Sequence, residues 1–204
     1  MLNNVLLSET PFLIGYYGYI TMPAFVFAVI SSDIIFNKLN NFSSLLIFSS
    51  FIAINQATNG LIKQIIQQPR PENPVNIVKH DSTTNPNLGM PSGHAQSVTF
   101  ATTYLYFYTK NPILLIISIT TSLLTISQRL VYRKHTPLQV FVGGTLGILL
   151  GYIAHIASQN IRIPLNNTTL FLTTLLVPTL FYIDHYNLAE KKLLPFLKLS
   201  GIFK

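Results

Sequence analysis

Residues 44–71 read SLLIFSSFIAINQATNGLIKQIIQQPRP, and this stretch decides the fold of the chain. The part 44–66 is apolar and long enough to cross a bilayer, whose hydrocarbon core needs about 20 helical residues. A polar, proline-rich loop follows, and Lys63, Arg70 and Pro71 lie where the apolar run meets it. A lysine near the end of an apolar helix often marks function, and snorkelling to the lipid head groups is the alternative.

The same alternation of apolar run and polar loop continues along the chain. It predicts an all-α, polytopic membrane helical bundle with six transmembrane helices. We expect one membrane-embedded domain over residues 1–204, with its motifs in 63–139. The expected spans are 12–32, 44–66, 92–108, 112–131, 137–157 and 168–186. Close helix packing is expected at four glycines of the fifth span, Gly143, Gly144, Gly147 and Gly151.

Composition supports an integral membrane protein. Charged residues make up 9% of the chain, whereas a soluble domain carries about 25%. The net charge of +7, with basic residues beside the expected spans, favours lipid phosphates over nucleic acid as partners. The absence of cysteine excludes disulfides and thiolate chemistry. The six acidic residues offer no ligand cluster for a two-metal phosphatase, so metal-free chemistry is expected.

With six spans, three polar segments lie on one membrane face. They are Lys63–Pro71, Pro91–His94 and Arg129–Gln139, at the ends of spans two and four and at the starts of spans three and five. Basic residues are more numerous on this face, which favours the cytoplasmic side. Some of those cations can instead serve a phosphate, so the side of the membrane stays open.

The first segment offers two cations to an anion. Lys63 and Arg70 are seven residues apart. This is about two helical turns, so both side chains can face the same way. Pro69 and Pro71 stiffen the backbone around Arg70. The planar fork of an arginine and the point charge of a lysine together suit a phosphoryl group.

The second segment is Pro91-Ser92-Gly93-His94. Ser92 is expected to cap the third helix, and Gly93 lets the backbone approach a ligand. Free N–H groups at a helix start bind anions. His94, in the first turn, can donate a proton to a leaving oxygen. An ordinary capped helix is the alternative for the Pro-Ser-Gly part alone.

The third segment contains the best candidate nucleophile. Thr136 can cap the fifth helix and Pro137 can occupy its first position. His135 therefore precedes a helix N-terminus and can attack phosphorus through a neutral ring nitrogen. Gln139, four residues on, is placed to fold back toward it, and a neighbour that accepts the other ring N–H would fix the tautomer. Arg129 lies six residues before His135. The alternative interpretation of His135 is a surface histidine in a basic loop.

The three segments together resemble the type 2 phosphatidic acid phosphatase family, the membrane relatives of vanadium-dependent haloperoxidases. The family pattern is Lys-x6-Arg-Pro, then Pro-Ser-Gly-His, then Ser-Arg-x5-His-x3-Asp. The matching residues are Lys63, Arg70, Pro71, Pro91, Ser92, Gly93, His94, Arg129 and His135. Gln128 replaces the family serine and Gln139 the family aspartate. A glutamine at position 139 is similar to the dolichyl diphosphatase branch, and its lack of charge implies a lower rate.

The resemblance implies a metal-independent membrane lipid phosphatase that hydrolyses a lipid phosphate or polyprenyl diphosphate without a cofactor. His135 would form a phosphohistidine, His94 would protonate the leaving group, and Gln139 would accept the His135 N–H. The phosphate oxygens would be held by Lys63, Arg70, Ser92, Gly93 and Arg129. The alternatives are a lipid phosphotransferase with the same intermediate and a non-catalytic phospholipid-binding or transport protein. No nucleic acid and no required protein partner are expected.

Other aromatic and histidine residues are assigned no function from the sequence. We interpret three tyrosines as residues of the membrane-interface belt or of the packing between helices, which is usual near membrane boundaries. They are Tyr16, Tyr17 and Tyr19. His155 is interpreted as structural or interfacial.

Overall fold

The structure is a computed structural model, and it describes residues 2–37, 42–75, 85–164, 166 and 168, with side chains of the first helix described for 14–36. The described residues form five α-helices and no strand, which confirms the all-α class. The helices are α1 (Leu2–Asn37), α2 (Phe42–Ile66), α3 (Gly93–Thr109), α4 (Pro112–Val131) and α5 (Pro137–Asn160). The predicted sixth span, 168–186, lies outside the described residues apart from its first residue.

Four of these helices are long and apolar enough to cross a membrane: the part Ile14–Phe36 of α1, and the whole of α2, α4 and α5. The protein is therefore an integral membrane protein. The third predicted span corresponds to α3, whose 17 residues extend only about 26 Å at the usual helical rise. This short helix contacts all four of the others and forms the centre of the bundle.

The predicted limits of the second and fourth spans agree with the structure, and those of the first do not. The first was predicted to end at residue 32, whereas α1 continues past Asp33 to Asn37. An acidic side chain is tolerated there because the Tyr108 hydroxyl donates a hydrogen bond to Asp33 Oδ2 at 2.7 Å. A buried or half-buried carboxylate needs such a partner in an apolar environment.

The apolar core lies between α1, α2 and α3. Phe48 of α2 packs on α3, with its ring centroid 5.5 Å from that of Phe100 and 4.7 Å from that of Tyr104. From α1, Val26 and Ile30 are fully buried in the same cluster. The centre of the bundle is therefore filled by α3, while the outer faces of α4 and α5 carry exposed isoleucines and leucines, as expected for surfaces that face lipid.

Glycines on α5 let this helix pack closely against α3. A Cβ atom at Gly147 would collide with the Gln96 carbonyl oxygen and with Thr99 Oγ1. A Cβ atom at Gly151 would lie 2.5 Å from the Phe100 carbonyl oxygen. Any side chain at these positions would therefore force the two helices apart, because protein interiors are already close-packed.

The same stripe of glycines brings the starts of α3 and α5 together. A Cβ atom at Gly143 would collide with the Ser92 backbone, and the Ser92 N–H donates to the Gln139 carbonyl oxygen at 3.0 Å. Gly144 differs, since the nearest atom to its Cβ position is Thr99 Cγ2 at 3.8 Å, an ordinary contact. Close packing is therefore confirmed at three of the four predicted glycines and is not required at Gly144.

We expect Gly147→Ala to destabilise the bundle and Gly144→Ala to leave it intact. A methyl group at position 147 overlaps the backbone of α3, and overpacking of this kind costs about 1–3 kcal/mol. A methyl group at position 144 would make only an ordinary van der Waals contact. Thermal denaturation of both variants in one detergent measures the difference. Equal melting temperatures for the two variants would contradict this account of the helix contact.

Candidate active site

The three segments meet at one end of the bundle, where α2 and α4 end and α3 and α5 begin. Arg70, in the loop after α2, lies with Nη1 3.2 Å from the Nε2 atom of His135 and donates to the Lys134 carbonyl oxygen at 3.4 Å. The Arg70 N–H also donates to the Pro86 carbonyl oxygen at 2.8 Å. These contacts fix the loop after α2 against the connection between α4 and α5.

Hydrogen bonding around His135 fixes its orientation and its tautomer. The side chain is 4% exposed. Its Nδ1 atom lies 2.8 Å from the Gly89 carbonyl oxygen and 3.2 Å from Oε1 of Gln139, which are both acceptors. Nδ1 therefore carries the hydrogen, and the Nε2 lone pair faces the Arg70 guanidinium, a donor. The predicted folding of Gln139 toward His135 is confirmed.

The surroundings of His135 favour its neutral form. Burial lowers the pKa of His135 well below its ordinary value, and the nearby cations Arg70, Lys63 and Arg129 lower it further. The Gln139 carbonyl, which accepts from the ring, acts in the opposite direction. A neutral imidazole with one lone pair is the state that a nitrogen nucleophile requires.

Two cations of the site are buried in helix ends. Lys63 in the last turn of α2 is 6% exposed and Arg129 in the last turn of α4 is 1% exposed. The Arg129 Nε donates to Gln128 Oε1 at 2.5 Å. Gln128, in the place of the family serine, thus holds the guanidinium by one edge. Like charges buried close together repel, and an anion between them relieves this repulsion.

His94 and Ser92 occupy the start of α3 as predicted. Ser92 is the N-cap, and its Oγ accepts from the Ala95 N–H at 3.5 Å. The positive charges of Arg129, Arg70 and Lys63 lie close enough to act on the His94 ring. Within the described part of the chain, the buried Nε2 atom of His94 has no hydrogen-bond partner. A buried polar atom of this kind is one that a bound ligand can satisfy.

A buried amide network beneath the start of α3 was not foreseen. Asn59 of α2 donates through Nδ2 to Gln96 Oε1 at 2.7 Å and to the Pro91 carbonyl oxygen at 3.4 Å. The Gln96 Nε2 donates in turn to Oδ1 of Asn55 at 3.0 Å. A Cβ atom at Gly93 would lie 3.2 Å from Asn59 Oδ1. The network therefore holds the Pro-Ser-Gly turn in position.

The sequence did contain a signal for this network. Asn55, Asn59 and Lys63 recur at intervals of four residues within the apolar second span. Residues four apart lie on the same face of a helix. Amides in an apolar helix are costly to bury unless they find partners, so this polar stripe indicated a face of α2 that binds polar groups inside the bundle.

Gln139 has more partners than the sequence suggested. It is the N3 residue of a capping box, in which its Oε1 accepts from the Thr136 N–H at 3.1 Å. Its Nε2 donates to the Pro69 carbonyl oxygen at 2.8 Å and to Gln68 Oε1 at 3.1 Å. The predicted cap at Thr136 is confirmed, and Gln139 also ties α5 to the loop that carries Arg70.

The interpretation of Tyr16 and Tyr19 as membrane-interface or packing residues was incomplete. The Tyr19 ring centroid lies 4.0 Å from that of His94, and the Tyr16 ring centroid lies 5.1 Å from Cζ of Arg129. Their spacing alone gave no signal, because tyrosines near a membrane boundary are common. Tyr17 is 45% exposed, which agrees with the interface interpretation.

Fold and site together define a membrane helical bundle with a cluster of cationic side chains at one end, built around a neutral histidine. The family model of the PAP2 superfamily matches residues 44–163. The chain therefore belongs to the PAP2 superfamily, in agreement with the resemblance seen in its motifs. No solved structure matches the chain.

Two curated relatives are similar to this chain. Dolichyldiphosphatase 1 of Mus musculus is 31% identical over 134 residues, which are 58% of this chain and 54% of the relative. Dolichyldiphosphatase of Saccharomyces cerevisiae is 35% identical over 146 residues, which are 67% of this chain and 60% of the relative. The chain thus spans less than two thirds of the length of these relatives.

We expect Gln139→Asp to destabilise this protein although it restores the family residue. A carboxylate cannot donate to the Pro69 carbonyl oxygen or to Gln68 Oε1, and each of these two part-buried hydrogen bonds contributes about 0.5–1.5 kcal/mol. The gain from a negative charge in the first turn of α5 is only about 0.3–1 kcal/mol. Thermal denaturation in detergent measures the balance, and a variant more stable than the wild type would contradict it.

Proposed function

We propose that this protein is a metal-independent lipid phosphatase that removes the terminal phosphate of a polyprenyl diphosphate. The observation that carries the proposal is His135, neutral and buried, with its Nε2 lone pair directed at the anion-binding guanidinium of Arg70. Membership of the PAP2 superfamily supports phosphatase chemistry. The two relatives named dolichyldiphosphatase support a polyprenyl diphosphate as the substrate.

The first step transfers the phosphoryl group to His135. The Nε2 lone pair attacks the terminal phosphorus, a P–N bond forms, and the bond from phosphorus to the bridging oxygen breaks. His94, in its protonated form, gives its proton to the departing oxygen. The positive charge that develops on the His135 ring is stabilised by the Gly89 and Gln139 carbonyl oxygens on Nδ1–H. The polyprenyl monophosphate then leaves.

The second step is hydrolysis of the phosphohistidine. The neutral His94 takes a proton from a water molecule, whose oxygen attacks phosphorus as the P–N bond breaks. His135 regains its lone pair and His94 is again protonated, so the enzyme returns to its starting state with release of inorganic phosphate. The same residue thus serves as acid and then as base.

The remaining site residues hold the phosphate oxygens. Lys63, Arg70 and Arg129 supply positive charge, while Ser92 and the Gly93 N–H supply neutral donors at the start of α3. Such donors are most effective in a site shielded from water, where they stabilise charge that spreads over the phosphoryl oxygens in the transition state. The amide network around Asn59 keeps the turn at Ser92 and Gly93 in register with these cations.

The lipid part of the substrate would lie among the membrane helices, with its diphosphate at the polar end of the bundle. We propose one domain over residues 1–204 and a sixth span over 168–186, which would return the chain to the membrane face that bears the site. We propose the bilayer and the lipid substrate as its partners. Labelling of single cysteines placed on either side of 168–186 tests this span, since the chain has no cysteine of its own.

We expect phosphate release from a polyprenyl diphosphate in detergent, unaffected by EDTA, inhibited by vanadate and abolished in His135→Ala. His155→Ala is the matched control, because His155 lies near the other end of α5, next to Phe107. A panel that includes phosphatidate and phosphatidylglycerol phosphate defines the substrate class.

Full activity in His135→Ala would overturn the mechanism. Transfer of phosphate to an acceptor other than water would identify a phosphotransferase, and binding without release a non-catalytic protein.

We expect kcat/KM to fall off at a lower pH than it would with an ordinary histidine. Burial and neighbouring cations lower the pKa of His135, so its ring stays neutral, and able to attack, at lower pH than usual. Activity that needs neutral His135 is then lost only as the pH falls through this lowered pKa. An ordinary imidazole would be half protonated at about pH 6.5. The profile is measured with the ionisation of the substrate titrated separately, and a limb at or above that pH would contradict the expectation.

A further inference from the structure

Helix α1 lies outside the part of the chain that matches the family, yet it contacts the site. The family match begins at residue 44, whereas Tyr16 and Tyr19 on α1 contact Arg129 and His94. The two tyrosines are three residues apart, so they lie on the same face of the helix. Tyr16 is 9% exposed, which shows that it is packed inside the bundle and does not face lipid.

We infer that Tyr16 and Tyr19 are positioning residues of the active site, Tyr16 for the phosphate-binding Arg129 and Tyr19 for the acid His94. This inference rests on the proposed function, since it assigns the tyrosines to residues with proposed catalytic roles. It makes α1 a part of the active site, although the chemistry itself is carried by residues of the family motifs.

Close packing of α1 on α4 brings the tyrosines into place. A Cβ atom at Gly15 would lie 2.5 Å from the Leu124 carbonyl oxygen, and one at Gly18 would collide with Thr125 Oγ1. Gly15 and Gly18 each directly precede one of the two tyrosines in the chain. The backbone of α1 can therefore lie against α4 while the rings of Tyr16 and Tyr19 extend to the site. The Cβ atom of Gln128 lies 3.2 Å from the Cβ position of Gly15, so a side chain at Gly15 would also press against Gln128.

Tyr19 restricts the His94 ring and favours its charged form. The two ring centroids are 4.0 Å apart with planes inclined by 42°. A ring in such contact blocks rotation of the imidazole away from the site. The face of an aromatic ring attracts a cation electrostatically, which favours the imidazolium that must deliver a proton. The charged groups that act on His94 are the cations Arg129, Arg70 and Lys63, and the attraction of the Tyr19 ring opposes their repulsion.

Tyr16 and Gln128 both contact the guanidinium of Arg129. The guanidinium carbon lies 5.1 Å from the Tyr16 ring centroid, within the range of a cation–π contact. The Nε edge of the same guanidinium is bonded to Gln128 Oε1. These two contacts together restrict the orientation of the guanidinium.

Steady-state kinetics with a polyprenyl diphosphate and calorimetric binding of vanadate test the two roles separately. We expect Tyr19→Leu to lower kcat by about tenfold, a part of what acid–base catalysis contributes, with KM and vanadate affinity nearly unchanged. Tyr19→Phe keeps the ring and should recover most of kcat. We expect Tyr16→Leu to weaken vanadate binding about two- to fivefold, as loss of a cation–π contact implies.

Tyr106→Leu is the matched control, because it removes a tyrosine of α3 that is 46% exposed at the other end of the helix. All variants are compared at equal folded fraction, judged by melting temperature. A Tyr19→Leu enzyme with wild-type kcat, or a Tyr19→Phe enzyme as slow as Tyr19→Leu, would overturn the role of the ring. A Tyr16→Leu protein that binds vanadate like the wild type would overturn the role of Tyr16.

These outcomes differ from a failure of the proposed function. If the wild-type protein released no phosphate from any lipid, the proposed activity would fail for all variants alike. Vanadate binding would still compare Tyr16→Leu with the wild type and with Tyr106→Leu. Vanadate binding alone would then decide whether α1 supports the anion site.

Discussion

The contact between α3 and α5 is the constraint on which the site depends. Because glycine takes the place of a side chain on α5, the turn at Ser92 can lie directly on Gly143, and its N–H bonds to the Gln139 carbonyl oxygen. The start of α3 is thereby fixed beside the start of α5, which follows His135. The proposed phosphate donors and the proposed nucleophile are thus held by rigid helices with short connections, and the proposed electrostatic catalysis requires pre-organisation of this kind.

The polar end of the bundle is held by neutral groups as well as by charges. Amides of Asn59 and Gln96 support the turn at Ser92, and Gln128 and Gln139 support Arg129 and His135. A neutral amide can donate and accept at once without adding charge. Because cations are already buried in this region, the neutral amides fix their positions without adding further charge. In the proposed function, an anionic substrate would relieve the repulsion between these cations.

Much of this could be predicted from the sequence because the deciding patterns are local. The limits of α2 and α4 follow from apolar runs of bilayer length, and the cap at Thr136 follows from its neighbour Pro137. The partners of Gln139 could not be predicted, since Pro69 and Gln68 lie about 70 residues away and reach it only through the folded loop. Tyr19 was missed for a related reason: it reaches His94 because Gly15 and Gly18 of its own helix let α1 pack on α4, and this contact between distant helices is not visible in the sequence.

The amide of Gln139 also limits how the sequence of this protein can drift. The two ends of this amide make different hydrogen bonds. The carbonyl oxygen accepts from His135, and the nitrogen donates to Gln68, which is 71 positions earlier in the chain. The Gln68 amide can turn to meet either a donor or an acceptor, whereas the Pro69 carbonyl oxygen, 2.8 Å from the same nitrogen, can only accept. Position 139 is therefore expected to keep a side chain that both donates and accepts for as long as the backbone at Pro69 keeps its path, whatever residue stands at position 68.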